Sequence, residues 1–130
     1  MKIMVCYDGS NVAKAALDLA KKHAKVSNAK IYVLTSMEGG PRVPLREFER
    51  TEKNLKEAKS IVRKDDISCE THLLERGLEA GEDLVQYAEK NQIDEIFIGA
   101  RRRSKVGKLI FGSTAQFVIL NAPCPVVTVK

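Results

Sequence analysis

The stretch Ile3-Met4-Val5-Cys6-Tyr7-Asp8-Gly9-Ser10 decides the fold. Its apolar part is short and ends at an Asp-Gly-Ser turn, the pattern of a buried strand opening into a loop. From Val12 onward the periodicity changes: Ala13, Ala16, Leu17, Ala20 and Ala24 recur at helical spacing with lysines between them. Ser10 or Asn11 supplies the N-cap of that helix. Working outward, the β-branched and aromatic run 31–34 predicts a second strand, and Met37-Glu38-Gly39-Gly40-Pro41 breaks structure after it. Phe48, Leu55 and Val62 fall seven apart, with Thr51, Ala58 and Ile61 in the same stripe, which predicts an amphipathic helix. Cys69, Thr71, Leu73 and Glu75 suggest a third strand, and Leu84, Val85 and Ala88 anchor a helix ending near Asn91. Ile93, Ile96, Phe97 and Ile98 form a fourth strand that stops at Gly99. Gly112-Ser113-Thr114 opens a last helix through Phe117, Val118 and Leu120; Pro123 ends it, and 126–129 is a fifth strand.

Strands thus alternate with helices along one undivided domain, residues 1–130, without repeat, linker or low-complexity tract. Crossovers of this length predict an α/β fold with a mainly parallel sheet covered by helices on both faces. Ligands of such sheets sit beyond the carboxyl ends of the strands, where strand order reverses. The ends to inspect are Asp8, Ser36 and Gly99.

Composition narrows the function classes. Apolar residues make up 44% of the chain and charged residues 30%, the balance of a soluble globular protein. The chain is long enough to bury about two-thirds of the surface it exposes when unfolded, so no staple is required. Cys6, Cys69 and Cys124 are single and far apart, and His23 and His72 lie near no cysteine cluster. That argues against a disulfide framework or zinc site and for reduced thiols in a cytoplasm. The opening run is too short for a signal peptide, and no stretch approaches the ~18 apolar residues of a membrane span. His23, among Lys21, Lys22 and Lys25, is expected to be exposed and without a role, and His72 to be structural.

The net charge of +5 is concentrated: Arg101, Arg102, Arg103, Lys105 and Lys108 fall within eight residues. A near-neutral body with one basic loop suggests a local anion site rather than a broad nucleic-acid surface. Gly99 lets the backbone leave the sheet without a side chain in the way of a phosphate. Gly112-Ser113-Thr114, at a helix start, offers amides, hydroxyls and the positive end of the helix dipole. The plainer alternative is that both glycines only turn the chain and Ser113 caps the helix. Gly107-Lys108 is no Walker sequence, because seven residues separate it from Gly99 and Leu109 stands where a Ser or Thr is needed.

With these residues in place, the chain resembles the universal stress protein family. The resemblance runs from Val5-Cys6-Tyr7-Asp8-Gly9-Ser10 to Ala122-Pro123-Cys124-Pro125-Val126, essentially the whole length. Its most specific part is the family's nucleotide motif: Gly, two residues, Gly, nine residues, Gly, then Ser or Thr. Gly99, Gly112 and Ser113 match it, and Arg102 stands in place of the second glycine. The resemblance implies a flavodoxin-like, Rossmann-like doubly wound sheet of five parallel strands in the order 3-2-1-4-5. It also implies an ATP or AMP ligand, Mg²⁺ accompanying it or not, with the adenine near the end of strand two and the phosphates in the glycine motif. Carried over by position, Cys6 and Asp8 lie beside the adenosine, and Ser36 takes a position that is commonly apolar, which weakens one wall of the adenine pocket. Gly99, Arg101, Arg102, Arg103, Ser104 and Lys105 form the phosphate loop, with Gly112, Ser113 and Thr114 at the following helix. An arginine at a left-handed glycine position costs about 1–2 kcal/mol. A guanidinium–phosphate contact returns about 1.5–3 kcal/mol. Nucleotide binding with an altered phosphate grip is the expectation.

Two classes of function follow from that resemblance: a nucleotide-responsive stress or regulatory binding module, and a slow ATP hydrolase. Hydrolysis needs a group to position water and a holder for Mg²⁺. Beyond Asp8 the motif offers neither a carboxylate nor a nearby histidine, which favours the binding module. Nucleic-acid binding through 101–108 ranks below both, because the loop carries no aromatic platform except Phe111. A homodimer through the edge strand 126–129 completes the expectations.

Overall fold

In the computed structural model, which describes residues 1–37, 43–100 and 112–130, the opening apolar run is strand β1 (Lys2–Cys6), the centre of a five-stranded sheet. It is followed by α1 (Asn11–Ser27), β2 (Lys30–Ser36), α2 (Leu45–Arg63), β3 (Cys69–Leu74), α3 (Ala80–Lys90), β4 (Glu95–Gly99), α4 (Ser113–Asn121) and β5 (Val126–Val129). Every strand pair is parallel and the order is β3-β2-β1-β4-β5, the doubly wound arrangement. The direction of winding reverses between β1 and β4.

The continuous apolar character of β1 has a simple cause, since both faces of the sheet are covered. Ile3 and Val5 point to the side where Ala16, Leu17 and Ala20 of α1 and Leu55, Ala58 and Val62 of α2 pack. Met4 and Cys6 point to the opposite side, against Leu84, Val85 and Ala88 of α3 and Val118 of α4. Phe97, Ile3, Leu17, Ile31 and Ile96 are fully buried. Each such side chain contributes about 1.5–3 kcal/mol relative to exposure.

Local details refine the sequence reading. Ser10, not Asn11, caps α1: its Oγ accepts a hydrogen bond from the Ala13 amide at 3.2 Å. Ser113 is not a cap but the first residue of α4, with Gly112 at the cap position. β3 ends at Leu74, so Glu75 lies outside it. Ile93 precedes β4 because its amide closes α3, donating to Ala88 O at 3.1 Å after the left-handed residue Gln92 (φ 50°). That is the helix-ending pattern in which the amide two residues past the cap reaches back one full turn. His23 is not idle. Its Nδ1 lies 3.0 Å from Glu95 Oε1, and its ring packs edge-on against Phe97. His72 Nε2 lies 3.0 Å from Glu70 Oε1 on β3, beside the Tyr87 ring.

Candidate functional site

Cys6 at the end of β1 is in register with Leu34 on β2 and Ile98 on β4. Just past that row a cleft of about 440 Å³ opens at the carboxyl ends of the three strands, closed laterally by the starts of α1, α3 and α4. Its size and its position at the reversal of strand order are those of a small-molecule site. Cys6, Asp8, Ser36, Gly99, Gly112, Ser113 and Thr114, named above from the sequence, all line it. Arg101, Arg102, Arg103, Ser104 and Lys105 lie outside the described residues, as do Lys108 and Phe111.

The end of the cleft under β2 is built from committed hydroxyls. Thr35 Oγ1 donates to the Tyr7 carbonyl. Ser36 Oγ donates to Asp83 Oδ2 at 2.8 Å. Asp83, in the first turn of α3, is fully buried, and it is tolerated there because its other oxygen receives Arg76. Arg76 Nε donates to Asp83 Oδ1 at 2.6 Å, and Arg76 Nη2 also reaches the Asp83 carbonyl at 3.1 Å. A buried charge is sustained only by pairing and hydrogen bonds of this kind. Backbone amides nearby are used as well: Tyr7 N donates to Leu34 O at 2.8 Å and Met37 N to Leu74 O at 2.9 Å. Ser36 is therefore not simply a weakened apolar wall; it is tied through Asp83 to the start of α3.

The opposite end is built from a helix start. The Gln116 amide donates to Gly112 O at 3.0 Å, the first α-helical bond of α4. The amides of Ser113, Thr114 and Ala115 precede it, and helix geometry gives them no acceptor inside the helix. Gly112 makes no side-chain cap, and all three residues line the cleft. The positive end of the helix dipole adds to their pull on an anion.

Asp8 stands between the two ends, exposed, with its Oδ1 accepting the Ser10 amide at 2.9 Å. Gly9 next to it holds φ 80°, a backbone conformation that favours glycine. The two motif glycines differ in kind. A Cβ at Gly99 would stand 2.9 Å from the Val12 carbonyl carbon, so Gly99 is required by the start of α1 packing on β4. This packing requirement stands beside the two roles the sequence suggests for Gly99, phosphate approach and turning the chain. At Gly112 a Cβ would meet nothing within 4 Å among the described residues and φ is −62°, so neither they nor the backbone ask for glycine there. Cys6 is a wall rather than a reagent, because burial, with a smaller push from Cys124, raises its thiol to about 12.

Asp83 and Arg76 escaped the sequence reading. The available signal was an aspartate one residue before Leu84 and four before Tyr87, within the core-facing stripe of α3. A charge on such a stripe demands a partner.

The profile of the universal stress protein family matches residues 1–130. The chain belongs to the universal stress protein family. A relative from Thermus aquaticus, described as a universal stress protein in the QAH/OAS sulfhydrylase 3' region, is 34% identical, covering 98% of this chain and 97% of the relative. A universal stress protein from Archaeoglobus fulgidus superposes with a TM-score of 0.93 at 40% identity, over 100% of this chain and 98% of that one. Another Archaeoglobus fulgidus family structure, solved in complex with dAMP, superposes with a TM-score of 0.87 at 35% identity, again over 100% and 98% of the two chains. No helix among the described residues is long and apolar enough to cross a membrane.

Proposed function

We propose that the chain is an adenine-nucleotide-binding regulatory module that takes ATP or AMP in the cleft at the ends of β1, β2 and β4. The observation that carries the reading is the cleft's polarity. Helix amides and the α4 dipole favour phosphate at one end, and hydroxyl lone pairs favour a base with N–H groups at the other. Asp8 between them is placed to accept from ribose hydroxyls. The family relative solved with dAMP supports the same ligand class. Arg101, Arg102, Arg103, Ser104 and Lys105 belong to the proposal as the phosphate loop, with Arg102 gripping phosphate in place of the family glycine. Calorimetric titration of nucleotide-stripped protein with AMP and with ATP tests the reading: saturable binding is expected, and no heat at millimolar nucleotide with the fold intact refutes it. Steady-state phosphate release separates the module from a hydrolase, since the module predicts occupancy with negligible turnover.

The module is proposed to act in the cytoplasm as a homodimer joined along β5. Supporting this, β5 is the sheet edge, its four residues are only half-buried, and Leu120 on neighbouring α4 is 73% exposed. Two copies pairing antiparallel across a two-fold axis would satisfy both edges. Sedimentation equilibrium is the check, and a monomer at tens of micromolar contradicts it.

A further inference from the structure

The side chains at the β2 end of the cleft have a fixed hydrogen-bond direction. A hydroxyl has one proton and two lone-pair sites, and an ionised carboxylate only accepts. Arg76, a permanent cation, holds Oδ1 of Asp83, so Oδ2 of the same carboxylate accepts the Ser36 proton. The buried pair leaves Ser36 no freedom to turn that proton toward the cleft. Thr35 beside it is fixed in the same sense, its proton held by the Tyr7 carbonyl. The two side chains leave β2 on opposite faces, as do their register partners Leu73 and Leu74, and it is Ser36, on the α3 side, that meets a ligand in the cleft with lone pairs alone.

We propose that Ser36 is a specificity-determining residue, oriented by Asp83 and Arg76 to accept a hydrogen bond from the exocyclic amino group of the bound base and to disfavour an oxo group there. The proposal rests on the nucleotide reading above and adds which base is chosen and how. Its placement follows from the sheet. The β2 and β4 ends are separated by β1, two strand spacings or about 10 Å, so a nucleotide with phosphate at α4 extends its base toward Ser36. A 6-amino purine offers a donor to Ser36 Oγ. A 6-oxo purine brings lone pairs against lone pairs and leaves both unsatisfied.

The experiment is a calorimetric comparison of AMP and IMP on the full, nucleotide-stripped chain and on Ser36→Ala and Asp83→Asn. Wild type is expected to bind AMP about 10- to 100-fold more tightly than IMP, the size of one unsatisfied polar contact. Ser36→Ala should bring the two within about threefold, mostly by weakening AMP. In Asp83→Asn the amide can donate to Ser36 Oγ and release its proton to the cleft, so the preference should shift further toward IMP. If that buried variant does not fold, Ser36→Ala, at a half-buried position, decides alone. AMP bound by wild type with an unchanged AMP-to-IMP ratio in Ser36→Ala overturns this proposal and leaves the nucleotide reading standing. Equal binding of AMP and IMP by wild type does the same. No AMP binding by folded wild type overturns both.

Discussion

At the β2 end of the cleft, Thr35 and Ser36 hold their protons against Tyr7 and Asp83, so that neither has a proton left to give. At the α4 end, a glycine cap leaves the amides of Ser113, Thr114 and Ala115 to the cleft. The first arrangement depends on side chains and on a fully buried carboxylate with its arginine. The second depends on main chain and on a glycine that brings no side chain of its own. Acceptors at one end of this site are thus costly to build and easy to lose by mutation. Donors at the other end come with any helix start and are lost only if something caps it.

The contrast can be broken most forcefully at Asp83. Asp83→Ala leaves Arg76 and Ser36 without their acceptor, and loss of one partner of a buried pair costs about 3 kcal/mol when the other can partly rehydrate. The Arg76 side chain, 36% exposed, has that escape. Thermal unfolding should show a fall of roughly 10 °C for a chain of this size, and a fall of a degree or two would remove Asp83 from its structural role. Gly99→Ala comes next, because its Cβ would crowd backbone and side chain of Val12 at 2.9 Å. Overpacking of this sort costs about 1–3 kcal/mol in denaturant unfolding, and an unchanged midpoint would contradict the packing argument.

Gly112→Ser probes the other end with a smaller and opposite effect on stability. A serine cap should stabilise α4 by a few tenths of a kcal/mol relative to glycine while occupying the amides proposed to hold phosphate. A slightly raised melting temperature with weaker AMP binding is expected; equal or tighter binding would mean that the amides are not the phosphate site. The smallest effect, and a control far from the cleft, concerns Asp65. Lys21 at 2.8 Å and Lys25 at 3.2 Å hold its carboxyl below the usual value. A lowered folded-state pKa supplies stability above the unfolded carboxylate's pKa of about 3.9 that is lost as pH falls through the folded value. Asp65→Asn should flatten the acid limb of a pH–stability curve and leave nucleotide binding untouched.

The architecture was readable because its signals are local. An apolar strand, an Asp-Gly-Ser turn and an alanine stripe define one unit, and repetition of that unit leaves a parallel sheet as the arrangement that covers both faces. The cleft's main-chain half was readable for the same reason, as Gly112 and Ser113 announce a helix start. Asp83 was not, since its partners come from β2 and from the turn before α3, 47 and 7 residues away in sequence. The packing need for Gly99 had no local signal, because what it makes room for, Val12, is distant in the chain. His23 was misjudged likewise, its partners Glu95 and Phe97 arriving with β4.

Amide chemical-shift perturbation tests the polarity of the cleft most directly. The labelled full chain is titrated separately with AMP, with adenosine and with inorganic phosphate. AMP should move the amides of Thr35 and Ser36 and those of Ser113 to Ala115 along a single saturation curve. Adenosine should move mainly the β2 set and phosphate mainly the α4 set. Adenosine and phosphate perturbing the same end, or AMP leaving either end unmoved at saturation, would contradict the account.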